Sequence, residues 1–274
     1  MIDVNRRVLP GFRFSLGYTL FYLGLLVVIP LSALFFKAAS LSVNEFVAAV
    51  WTPRARAAYA LTFGASFAAA VVNIVLGMLV AWVLVRYEFP FKRLFDALVD
   101  LPFALPTAVA GLVYSSLYVK SGWLGQYLVP LGIEGSYSRL AIVLVLTFIG
   151  LPFVVRTVQP ILENIDAEIE EAAACLGATR AQTFTRVIVP SLLPALVTGF
   201  ALAFARGLGE YGSVVFVSGN MPLRTEIAPV LIVASLEEFH YREAAAIAVV
   251  LLVASLAMLV LINLLQRWSK GNGN

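Results

Sequence analysis

The residue types able to make and break bonds are scarce in this chain, and their spacing excludes most reactions. A phosphate-cradling loop ends in Gly-Lys-Ser/Thr, yet Lys37, Lys92, Lys120 and Lys270 each follow a residue other than glycine. The chain therefore carries no P-loop, and any ATP chemistry belongs to a partner. His240 is the single histidine, which removes bis-histidine haem and His-Glu-x-x-His zinc sites. It sits in the polar stretch Glu237–Glu243 and reads as a solvated loop residue. Cys175 is also single, so no internal disulfide or multi-cysteine metal site forms. Its small neighbours on a predicted helix point to inert packing. Without a second histidine an enzyme reading has little to stand on.

What remains is charge and polarity beside apolar segments, where an ionisable group is costly and usually functional. Arg206 and Glu210 flank Gly207-Leu208-Gly209, and their spacing of four allows an ion pair on one helix face. Two readings stand for them: groups lining an anion pathway, or interfacial anchors that pair with each other. Asn73 and Asn263 fall mid-segment, where an amide serves as hydrogen-bonding glue between helices. Pro102 and Pro106, with Thr107 beside them, and the glycines from Gly207 to Gly212 are where a helix would break next to a cavity and form a gate.

The strongest local pattern runs from Pro160 to Gly177. Apolar residues at Ile161, Ile165, Ile169, Ala172 and Leu176 recur at spacings of four, four, three and four, one stripe of a helix. Glu163, Asp166, Glu168, Glu170 and Glu171 take the other face. Pro160 suits the start of this helix and Gly177 the C′ position after its end. Thr179 and Gln182 have the spacing of a capping box, so a second helix opens there and runs on through Phe184 to Val189. Pro190 and Pro194 then mark bends into the next apolar segment. Two short helices on a glycine turn form a rigid knob that fits a groove on another protein. A helix lying on anionic lipid would be basic, and this one is acidic.

Glu171-Ala172-Ala173, Gly177 and Val187-Ile188-Val189-Pro190 stand at the spacing of the EAA loop and resemble that loop of the ABC-importer permeases. Val187 and Val189 depart conservatively from the usual I-x-L-P ending. Asp100 to Gly111, and Leu208-Gly-Glu-Tyr-Gly212 through Gly219-Asn220, are similar to segments of the sulfate and molybdate permeases. Arg7-Val-Leu-Pro-Gly-Phe12 resembles the start of the T-type sulfate/thiosulfate members, and the likeness extends from about residue 6 to 268. The resemblance implies the type I importer permease fold, with Glu171, Ala172, Ala173 and Gly177 at the core of the element that couples to an ATPase. It implies a W-type second permease, an ATPase dimer holding ATP and Mg²⁺, and a periplasmic sulfate or thiosulfate binding protein. A molybdate or tungstate permease is the nearest alternative.

These residues must be positioned by a membrane bundle. Of 274 residues, 61% are hydrophobic and only 13% charged, against about 25% charged in a soluble domain, and mean hydropathy is +0.93. A net charge of +3 from scattered basic residues gives no nucleic-acid footprint. Gaps between charges place six transmembrane helices over residues 14–36, 57–85, 101–119, 140–155, 187–205 and 244–266 in one domain, 1–274, with the coupling loop at 160–186. The fourth is short and spans by letting Arg139 and Arg156 snorkel to the headgroups. Tyr211–Leu223 and Ile227–Leu236 are too short to cross and suit re-entrant or interfacial segments. The first apolar run is too long for a cleaved signal peptide, and the basic excess puts both termini in the cytoplasm of a bacterial inner-membrane, multi-pass protein. An ATP-independent secondary anion transporter would need intramembrane acids or histidines as relays, and the first, second and sixth segments hold none.

Overall fold

A computed structural model describes residues 11–271, and these residues form helices and loops only. Residues 7–10 of the Arg7–Phe12 resemblance lie outside the described residues. Five helices among those described are long and apolar enough to cross a membrane: α1 (Phe14–Ala39), α3 (Pro53–Arg86), α7 (Arg139–Glu163), α9 (Arg180–Leu208) and α12 (Tyr241–Gly271). Shorter helices lie between them: α2 (Val43–Val50), α4 (Lys92–Val99), α5 (Leu101–Ala104), α6 (Thr107–Tyr118), α8 (Ala167–Cys175), α10 (Val214–Val217) and α11 (Ala228–Glu237).

The core is the packing of α3, α7 and α9. In lipid no hydrophobic force drives helices together, so close van der Waals approach must do it, and small residues permit that approach. Gly199 on α9 stands so near α7 that an added Cβ would lie 2.8 Å from the Cα of Val154. Val154, Val155 and Val158 are fully buried at this seam, with Leu192 and Phe204 across from them. At 34 residues, α3 is roughly 51 Å long and exceeds a ~30 Å hydrocarbon core, as its charge-free run requires. α1 stands at the edge, packed mainly on α12 among the long helices, with most of its apolar side chains exposed for lipid or another subunit.

Two expectations on the spans change. Where one helix is anticipated over 101–119, the chain instead makes α5 and α6, separated by an extended turn at Leu105-Pro106 with ψ near 133° and 130°. The residue before a proline is driven out of the helical region, and Leu105 obeys that constraint. The fourth helix runs on to Glu163 rather than stopping at Val155, because Arg156 does not snorkel away. It bonds sideways to Asp96 and Asp100, so a charge inside the helix carries no end signal.

Candidate functional site

The segment over residues 160–186 is built from local rules. α8 ends in a Schellman motif: Gly177 has φ +84°, its N–H donates to the Ala174 carbonyl at 2.9 Å, and the Ala178 N–H donates to Ala173 at 3.0 Å. Glycine adopts that left-handed backbone without the cost a Cβ imposes. The expected capping box is present, with the Thr179 N–H donating to Gln182 Oε1 at 2.8 Å and the Gln182 N–H to Thr179 Oγ1 at 3.3 Å. The helix that follows does not stop. It passes through a wider π turn at Phe184–Ile188 and continues as α9, with Pro190 and Pro194 inside it.

The helix expected from Pro160 is split. Pro160 lies within α7, the chain turns at Asn164–Asp166, and α8 starts only at Ala167. Continuity of the apolar stripe concealed the break. Ile165 turns in against the α3–α7–α9 core, whereas Ile169 is 48% and Leu176 is 89% exposed. Glu171, Ala172 and Gly177 are exposed and Ala173 is half-buried. Cys175 is exposed on the same helix rather than packed. Glu170 pairs with Arg86 at the end of α3; the guanidinium lies 5.6 Å above Trp82, whose ring meets Phe184 edge-on at 5.3 Å. This tether ties α8 to α3 and α9, and sequence reasoning missed it because 84 residues separate the charges.

At the other end of α9, Arg206 and Glu210 pair at 2.5 Å, as their spacing suggests. Glu210 is only 1% exposed, and one carboxylate oxygen also accepts from the Ser213 N–H and Oγ, each at 2.9 Å. A buried carboxylate needs such partners, and here they lock residues 210–213 into a turn. Thr107 opens α6 directly against that turn, leaving no room for a side chain at Gly212. The helix break at Pro106 thus faces the Arg206–Glu210 segment, while Pro102 is buried one turn earlier, on the α7 side. The structure therefore joins Thr107 to the Glu210 turn and leaves Pro102 apart.

Other polar groups settle differently from their sequence reading. Asn73 is fully buried against Gly150, but neither amide atom has a hydrogen-bond partner among the described residues, so it does not bond helices together here. Asn263 is exposed. His240 is a solvated loop residue as anticipated, 3.4 Å from Glu238 and Glu243. On the side opposite α8, Arg54 grips the buried Glu226 with two bonds of 2.8 and 2.7 Å, and the Ala228 N–H donates to Thr62 at 2.8 Å. These bonds pin the loop leading into α11, one of the two short segments between the last long helices.

Comparison with known proteins agrees with this architecture. Residues 73–270 match the family described as "Binding-protein-dependent transport system inner membrane component". The chain is 49% identical over 262 residues to the sulfate transport system permease protein CysT of Salmonella typhimurium, covering 96% of this chain and 95% of the relative. It is 51% identical to the protein of that name from Synechocystis, covering 93% and 90%. Its fold is similar to that of a bacterial ABC transporter involved in the import of the acidic polysaccharide alginate, with a TM-score of 0.74 at 18% identity over 93% of this chain and 94% of the other. With that match across most of its length, the chain belongs to the inner membrane components of binding-protein-dependent transport systems, a multi-pass permease subunit and not itself an enzyme.

Proposed function

We propose that this chain is the T-type permease subunit of an ATP-driven sulfate/thiosulfate importer, one transmembrane domain over residues 1–274 with both termini cytoplasmic. The observation that carries the reading is the 49% identity to a sulfate permease across 96% of the chain. The exposed, glycine-capped α8 supports it, since a rigid projecting helix is what a groove on an ATPase would grip. In this reading Glu171, Ala172, Ala173 and Gly177 form the ATPase-coupling surface. ATP and Mg²⁺ are held by a dimer of partner ATPase subunits, a W-type permease completes the pathway, and a periplasmic sulfate or thiosulfate binding protein delivers the anion.

The chemistry of a dianion shapes the division of labour. Stripping water from sulfate is expensive, so a binding protein with fixed dipoles does the selecting outside. The permease must then pass the anion without trapping it. Arg206 offers a positive charge, but Glu210 offsets much of it at 2.5 Å, so an anion near this pair meets an attenuated attraction. Pro102, Pro106, Thr107, Arg206 and Glu210 are the gate or pathway residues of this reading. The test is uptake of labelled sulfate in cells lacking their own T-type permease, with the partner subunits co-expressed. Sulfate uptake supports the reading. An assembled complex that carries molybdate and not sulfate would replace the substrate, and uptake without the ATPase would end the coupling argument.

A further inference from the structure

We propose that Arg156 is a positioning residue, the joint through which motion of the coupling helix reaches the helix break at Leu105-Pro106. This rests on the reading of α8 as the ATPase-coupling element. Arg156 donates from Nε to Asp100 Oδ1 at 2.9 Å and from Nη2 to Asp100 Oδ2 at 2.7 Å, a two-pronged grip on one carboxylate. Nη1 donates to Asp96 Oδ1 at 2.6 Å and to Gln159 Oε1 at 2.7 Å, and Nη2 donates again to the Asp96 carbonyl at 2.8 Å. A guanidinium has five N–H groups in a fixed plane, and all five are used.

The two sides of this joint explain what it does. Arg156 lies on α7, about two turns before the helix ends at Glu163, and only three residues then lead into α8. Asp96 lies on α4, and Asp100 is the single residue between α4 and α5. The Asp96 carbonyl is one of the unpaired carbonyls at the end of α4, so the same cation closes that helix. From α5 the chain enters the break and then α6, whose Thr107 abuts the Glu210 turn. A tilt of the end of α7 therefore carries α4 and α5 with it, and the break is where the displacement can be taken up. A lysine would keep the charge but not the planar fork, so it could pivot where arginine cannot. The carboxylates are about 40–47% exposed, so the joint acts by geometry more than by net attraction.

The test uses the complete complex in proteoliposomes, with its binding protein, measuring labelled sulfate moved per ATP hydrolysed. For Arg156→Gln we expect hydrolysis stimulated by loaded binding protein to stay within twofold of wild type while sulfate per ATP falls at least tenfold. Arg156→Lys and Asp100→Asn should fall between. An unchanged ratio in Arg156→Gln, or equal loss of hydrolysis and uptake in an assembled complex, overturns the proposal. A second readout is independent of substrate: spin labels at Leu94 and Ile169, both exposed, in a Cys175→Ser background. With the joint intact their separation stays narrow on adding ATP, and in Arg156→Gln it broadens; equal widths in the two proteins would also overturn it. If wild type hydrolyses ATP and shows the narrow distance but moves no sulfate, the substrate assignment fails and the joint stands.

Discussion

Gly177 offers a graded test of the proposed coupling loop, because its environment separates backbone strain from crowding. Nothing lies within 4 Å of a Cβ built there, so any penalty comes from its φ of +84° alone. Asparagine tolerates the left-handed region, and Gly177→Asn should cost well under 1 kcal/mol. Gly177→Ala pays about 1 kcal/mol for that conformation, which is about fivefold in the population of the capped loop. Gly177→Pro cannot reach a positive φ, loses the N–H that donates to Ala174 at 2.9 Å, and pushes Leu176 out of the helical region. Its cost is ~3 kcal/mol or more, above a hundredfold. The assay is labelled-sulfate uptake per permease in the membrane, together with recovery of the ATPase subunit on the purified permease. Both should fall in the order Gly, Asn, Ala, Pro. A proline variant with wild-type uptake and ATPase recovery would refute the reasoning, and an asparagine variant as poor as proline would show that backbone handedness is not what the position supplies.

Other consequences follow from buried polar groups. Removing Arg206 as Arg206→Ala strands Glu210, which is 1% exposed, so membrane abundance should drop sharply; Glu210→Gln still accepts from Ser213 and should fold, and the reverse ranking by immunoblot would contradict the assignment. Arg54→Ala breaks a two-bond grip on Glu226, whose side chain is 3% exposed while that of Arg54 is 39% exposed. That difference moderates the loss to about 2–3 kcal/mol, visible as a drop of several degrees in the Tm of the detergent-solubilised protein. Asn73→Leu removes a buried amide that has no partner, so Tm should hold or rise, an unpaired group costing about 1–3 kcal/mol. A clear fall would show that the amide is bonded in the folded protein.

Legibility in the sequence followed the range of each interaction. The Thr179–Gln182 box, the Gly177 turn and the Arg206–Glu210 pair are set by residues three to five positions apart, and each stands where its spacing placed it. The long apolar runs likewise appear as helices, because a backbone in lipid must satisfy its own hydrogen bonds. The departures come from what stands opposite each segment. A charge marks a helix end, as expected at Arg156, and periodicity marks continuity, as expected across Asn164–Asp166, only where nothing from a distant segment intervenes; small neighbours mean packing, as expected at Cys175, only where a distant segment covers them.

Class, apolar helices and the capped turn at Gly177–Gln182 belong to the sequence alone, since hydrophobic length and turn geometry are properties of a few consecutive residues. Only the tertiary structure decided that Arg156 meets Asp96 and Asp100, that Arg86 meets Glu170, and that Thr107 closes on the Glu210 turn. Those partners lie 56 to 105 residues apart, and their meeting depends on how the small residues of α3, α7 and α9 let the helices approach. A side chain's spacing says which face of its own helix it occupies; the packing of the bundle determines what stands opposite.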